Sequence, residues 1–165
     1  MVDDLDSFLA RLDEIAAETG AVVQAFDADL VVSDAHLREA TRLAARAIAR
    51  GEAVARDPGV EIMLYAAGRR QIDRALTLGV SEGEQRAVVL VADFGRVEGA
   101  ERSAADLDAA VASVAELTAS ADATAEFDAE RVREFYGVSD RELAATAGDL
   151  TDVVRERVAL LDVEK

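Results

Sequence analysis

The sequence predicts an α/β fold: a small mixed or parallel sheet of three to four strands with packed helices, followed by a helical C-terminal part. Three observations carry this. Apolar runs without polar alternation stand at 62–67 and, within Arg86 to Asp93, at 87–91, and such runs fit strands covered on both faces; Ala21 to Phe26 is a third strand. Segments of helical periodicity separate them, which implies at least one right-handed crossover. Beyond residue 103 the apolar patterns are all helical. So few strands are too few for a doubly wound dinucleotide fold.

The elements follow in chain order. Asp3 to Glu18 carries Leu5, Phe8, Leu9, Leu12, Ile15 and Ala16, an amphipathic helix that Asp3 or Asp4 caps and Gly20 ends. Ala21 to Phe26 predicts a strand, Asp27-Ala28-Asp29 a break, and Leu30 to Val32 a short extended piece. Ser33 or Asp34 caps a long helix to about Arg50, stopped at Gly51, with Leu37, Ala40, Ala44, Ala47 and Ile48 inward. Arg38, Arg42, Arg46 and Arg50 recur every four residues as an outward ridge; its plain reading is a solvated surface with occasional pairs to Glu39 or Asp34. Pro58-Gly59 turns into the strand Ile62 to Ala67, and Gly68 ends it and opens a helix whose stripe is Ile72, Ala75, Leu76 and Leu78. Arg86 to Asp93 is a second covered strand and Gly95 to Arg102 an exposed connection. Ser103 to Asp106 starts a helix with Leu107, Ala110, Val111, Val114 and Leu117 facing inward, and Ala119 to Glu126 is a linker of small residues. Asp128 to Tyr136 is a short helix closed by Gly137. Ser139 to Glu142 is a capping box that opens a C-terminal helix with Leu143, Ala147, Leu150, Val154, Val158 and Leu161 on one side. Val153 and Leu160 widen that stripe, which fits a broad core face or a partner.

A chain of 165 residues, 51% hydrophobic and 32% charged, predicts a single domain: an N-terminal helix in 1–20, an α/β core in 21–118 and C-terminal helices in 128–161. No run approaches a membrane span, the N-terminus lacks a signal-peptide pattern, and the absence of cysteine points to the cytoplasm. The net charge of −16 argues at first against nucleic acid. Yet only Lys165 is lysine among 18 basic residues, and an acidic, arginine-using, lysine-poor chain suits a salt-accumulating microbe, where acidity serves hydration. The distribution is then the useful quantity. Ala35 to Leu76 holds eight arginines against five acids, a net of +3, and everything else is acidic.

Catalytic groups are sparse. His36 is the only histidine and is expected at a cap or on the surface; neither a serine elbow nor a phosphate-loop or dinucleotide glycine motif is present, and no metal or cofactor is implied. Tyr65 is expected in the core. A strand ending at Gly68 before a basic helix would aim free amides and a positive dipole end at a crevice, with Arg69 and Arg70 at the mouth, an anion site. The plain alternative is an ordinary turn with solvated arginines. The residues argue for binding rather than catalysis.

Glu61 to Leu76, EIMLYAAGRRQIDRAL, followed by Gly79-Val80-Ser81, resembles the archaeal members of the small KEOPS-complex subunit family related to the human PRPK-binding protein. The likeness extends through Val23 to Phe26, the helix near His36 and Arg133 to Asp140. It implies a non-enzymatic subunit of the complex that installs threonylcarbamoyl on the adenosine next to the anticodon of ANN-decoding tRNAs. Such subunits dock the complex's small atypical kinase, support its ATPase activity and, in archaea, grip the 3′ CCA end of tRNA. Gly68, Arg69, Arg70, Gln71 and Ile72 fall on the family's Gly-x-Arg-Gln-Ile segment; the human-like relatives lack these arginines and the glutamine. Arg74, Arg42 and Arg46 are further candidates for tRNA contact. Kinase docking is expected on helical faces including the C-terminal helix, with Leu150, Val153, Val154 and Leu160 as candidates. A scaffold that regulates the kinase without touching RNA, and a nucleotide-binding regulatory domain, stay open beside it.

Overall fold

Two strands make the sheet, not three or four. In the computed structural model, which describes residues 4–83, 86–100, 102–118 and 126–164, β1 (Val22–Asp27) pairs antiparallel with β2 (Ala87–Ala92), Val22 opposite Ala92 and Asp27 opposite Ala87. No parallel crossover is formed among the described residues. The expected Asp3 cap and nearly all of the Ala119 to Glu126 linker lie outside them.

The missing strand is a helix. Residues Pro58–Ala67 form α3, with Pro58 in its first turn and the Asp57 carboxylate accepting from the amides of Gly59 and Val60. All but Val60 of its ten residues are buried, so no polar face marks a 3.6-residue period, and the run reads like a covered strand. Its one charge, Glu61, is fully buried and accepts hydrogen bonds from the amides of Val54 (3.1 Å) and Ala55 (2.8 Å), which tethers the incoming loop.

Layers form on both sides of the sheet because strand side chains alternate. Val22 and Phe26 of β1 and Val88, Leu90 and Ala92 of β2 face the large core, which α2 (Asp34–Ala49), α3 and α8 (Leu150–Glu164) complete. Ala25, Val23, Val89 and Val91 face a smaller core with Leu12 and Ile15 of α1 (Leu5–Thr19) and Ala110 and Val114 of α5 (Leu107–Leu117). Leu107 and Val111, expected inside, are exposed. Of the expected extended piece Leu30 to Val32, Leu30 belongs to a 3₁₀ turn, Ala28–Leu30, and Val31 is extended. Downstream of Gly68 the helical stripe shrinks to α4 (Ile72–Ala75) and a 3₁₀ turn, Leu76–Leu78; Ala75 and Leu78 are buried while Ile72 and Leu76 are exposed.

Beyond the linker, α6 (Ala129–Tyr136) is pinned to the strand ends by Arg131, which pairs with Asp27 at 2.9 Å and Asp29 at 3.2 Å. The expected single C-terminal helix is two. Ser139 caps α7 (Asp140–Ala145), and Asp149 and Asp152 bond each other's amides at the start of α8. No described helix is long and apolar enough to cross a membrane.

Candidate functional site

The turn after α3 is where the sequence places its anion site, and its backbone runs the opposite way to that expectation. Gly68 is a left-handed helix C-cap (φ 65°), not the start of a helix. Its amide donates to the Tyr65 carbonyl at 3.0 Å and the Arg69 amide to the Leu64 carbonyl at 3.1 Å. Both donors are therefore spent on α3, whose end at this turn is the negative end of its dipole. The next helix, α4, has four residues and no side-chain cap, too short to supply a compensating field. Anion binding at this turn falls to side chains.

The buried support is dense. The Ala66 carbonyl, among the last of α3, accepts from the Tyr136 hydroxyl at 2.8 Å and from His36 Nε2 at 2.8 Å. The Val32 amide donates to His36 Nδ1 at 3.3 Å, so both ring partners require the neutral ring with its proton on Nε2. His36 is fully buried, contrary to a cap or surface position. A histidine one residue before Leu37 gave no sign of this, because its partner carbonyl is 30 residues away.

Burial lowers the His36 pKa below its ordinary 6.5, with the Ala66 hydrogen bond opposing. Below that value the unfolded chain takes a proton that the native chain refuses. Stability is thus expected to be insensitive to this group above about pH 6.5. It should fall by up to about 1.4 kcal/mol per unit as the pH drops below it. Glu39 and Glu142, held low by hydrogen bonds from Arg42 and Arg157, weaken the fold only below their ordinary 4.5. Urea midpoints at about pH 7.5 and pH 5.5 check it; equal midpoints would mean that the native ring takes up its proton freely.

The arginines divide into spent and free. Arg69 turns inward: its Nη2 donates to the Phe135 carbonyl and its guanidinium carbon stands 5.2 Å from the Phe135 ring centroid. Arg46 pairs with Asp162 of α8, whose carboxylate also accepts the buried Tyr65 hydroxyl at 3.1 Å. Burial, then Asp162, push the Tyr65 pKa well up, and the expected core position holds. Arg42 forms a fork with Glu39, at 2.7 and 3.1 Å, on the exposed side of α2. By contrast Arg70, Gln71 and Arg74 are exposed, and neither arginine has a hydrogen bond or ion pair among the described residues. Gly68, Arg69, Arg70 and Gln71 line an open cleft of 360 Å³ with Leu161 of α8. The apolar Ile72 and Leu76 (41% and 51% exposed) lie in the same segment.

On α8, Leu150, Val153 and Val154 are core residues, closed to any partner of the folded chain, because that helix lays this face on the large core. Leu160 is 42% exposed and Val163 79%. Phe135, Tyr136, Arg157 and Asp162 escaped the sequence reading of the site; the one signal was an aromatic pair just before the closing Gly137. Arg157 grips Glu142 at 2.7 and 2.9 Å and donates from Nε to the Tyr136 carbonyl at 3.3 Å. Among the described residues no three His, Asp or Glu side chains are grouped to hold a metal.

The turn after α3 thus combines a braced helix end with two exposed guanidiniums, Arg70 and Arg74. Curated proteins return no match. The family model described as kinase binding protein CGI-121 matches residues 6–162, from α1 to the last turns of α8. The chain belongs to the CGI-121 family of kinase binding proteins.

Proposed function

We propose that the chain is a non-catalytic cytoplasmic subunit of the KEOPS complex that docks the complex's small kinase/ATPase and grips the single-stranded 3′ CCA end of tRNA at the Gly68–Gln71 cleft. The observation that carries the RNA half is a pair of exposed guanidiniums without a partner among the described residues, Arg70 on the rim of the open cleft and Arg74 one helical turn further along the chain, in a chain of net charge −16. Any general attraction of this chain for polyanions is repelled by its own surface, so affinity rests on short contacts. A guanidinium fork on phosphate from Arg70, Gln71 on base edges and apolar contact with Ile72 suit a splayed single strand. If the chain works in a salt-rich archaeal cytoplasm, a Debye length of about 3 Å at 1 M salt removes long-range steering and leaves those contacts. Arg69, Arg42 and Arg46 have intramolecular partners, so this reading moves the phosphate contacts to Arg70 and Arg74.

The kinase half is supported by the family and by the exposed apolar pair Leu160 and Val163 on α8. The second reading is a scaffold that regulates the kinase without touching RNA; what favours it is that three of the candidate arginines are committed within the chain. Binding of intact tRNA and of tRNA trimmed of its CCA, across a KCl series, separates the two. The intact RNA is expected to bind at least about tenfold tighter, since a charge-assisted contact to one phosphate of the tail contributes about 1.5–3 kcal/mol. Equal affinity for both RNAs would sink the 3′-end assignment.

A further inference from the structure

Arg69 stands where it does because of a segment that is distant in sequence. Its guanidinium is held by Phe135 twice, through the carbonyl and through the ring, and Phe135 is itself set edge-on against Tyr136, with centroids 4.8 Å apart at 80°. Tyr136 in turn is hydrogen-bonded to Ala66, two residues before Gly68. The same α6 turn therefore fixes both the end of α3 and the first side chain of the cleft. Arg157 closes the loop from α8, its Nε on the Tyr136 carbonyl and its own backbone packed against Gly68.

We propose that the last turn of α6, Phe135–Tyr136, is the positioning element of the RNA-binding turn, holding Arg69 as a preset wall of the cleft rather than as a phosphate fork. This rests on the RNA reading of that cleft. Arg69 Nη2 donates to the Phe135 carbonyl and its Nε is buried, so the side-on Nε/Nη2 fork is closed to a phosphate. What remains is a fixed cation beside a strand held by Arg70. A guanidinium ordered before binding loses little rotamer freedom when the strand arrives, and this preorganisation, not a new contact, is the contribution of Phe135 and Tyr136. Packing alone would also place α6 on α3, but it would not need the aromatic face or the hydroxyl.

Two conservative variants separate positioning from packing. Tyr136→Phe keeps the ring and leaves the Ala66 carbonyl bonded to His36; Phe135→Leu keeps the backbone carbonyl and an apolar side chain but removes the face beside the guanidinium. Each is expected to weaken binding of CCA-ended tRNA about three- to tenfold at a pH where the urea midpoint shows the protein fully folded. Phe135→Leu should have no further effect in an Arg69→Ala background, because the two act through one contact. The Arg69 Nε–H resonance, read without RNA, should lose its slow exchange with water in Phe135→Leu. If the wild type binds tRNA and both variants bind it equally well, the positioning role is overturned while the RNA reading stands. If the wild type does not bind tRNA, the RNA reading fails, and the role in RNA binding fails with it. An Arg69 resonance unmoved by Phe135→Leu would overturn the part of the brace assigned to the ring, because the variant keeps the Phe135 carbonyl.

Discussion

Replacing Gly68 by valine is expected to destabilise the protein by about 3 kcal/mol or more, and alanine by about 2 kcal/mol. Two separate costs add at this position. The backbone sits at φ 65°, ψ 33°, where an L side chain costs roughly 1–2 kcal/mol and a β-branched one more. In addition, a Cβ there would lie 3.1 Å from the Arg157 carbonyl oxygen and 3.2 Å from the Arg157 Cβ. Those atoms belong to the frame of α8, which is held by the large core and by the Glu142 fork, so they cannot swing aside as a side-chain tip would. Overpacking against such a wall costs about 1–3 kcal/mol. Against a total stability of about 5–15 kcal/mol this is a severe loss. The denaturant midpoint at unchanged m-value reads it. An alanine variant as stable as the wild type would overturn both the backbone and the packing cost assigned to this position.

Arg70→Glu is expected to weaken tRNA binding about 100-fold while leaving the thermal midpoint in place. A charge-assisted hydrogen bond contributes about 1.5–3 kcal/mol, equivalent to roughly 10- to 100-fold, and the glutamate adds repulsion toward the phosphate. Stability should stay within about 0.5 kcal/mol, because Arg70 is exposed and has no partner among the described residues. Arg70→Ala should also lower the slope of log affinity against log salt by about 0.7, as expected when one phosphate of a single strand is no longer neutralised. Arg46→Ala provides the contrast: it leaves Asp162 with the Tyr65 hydroxyl alone, so it should cost stability and change the salt slope little. Tracking the salt slope of both variants in one series decides which guanidinium meets RNA. An unchanged affinity in Arg70→Glu would leave the kinase-only scaffold as the surviving reading.

The different fates of neighbouring residues show how far the amino-acid pattern reaches. Asp4 and Ser33 cap their helices as the pattern requires, because a cap is a contract between residues three apart. Glycine 20, 68 and 137 each close a helix in the left-handed region for the same local reason. The failure at 62–67 is also local in origin: a helix with no solvent face has no period to read, and length and Pro58 were the remaining clues. Arg69 and Arg70 are adjacent and chemically identical, yet one is braced to a carbonyl 66 residues later and the other stands in solvent.

What the sequence by itself determined is therefore the list of parts and most of their ends: α1, α2, the two strands, the end of the 62–67 run at Gly68 though not its helical form, the basic segment in an acidic chain, and the family. What only the tertiary structure decided is which guanidiniums are available, that His36 is a buried neutral clamp, and that most of the α8 stripe is core. The reason is range. Caps and periodicity act within a turn or two of the backbone, whereas the direction of a long flexible cation is set by whichever carbonyl, ring or carboxylate the fold brings within a few ångströms.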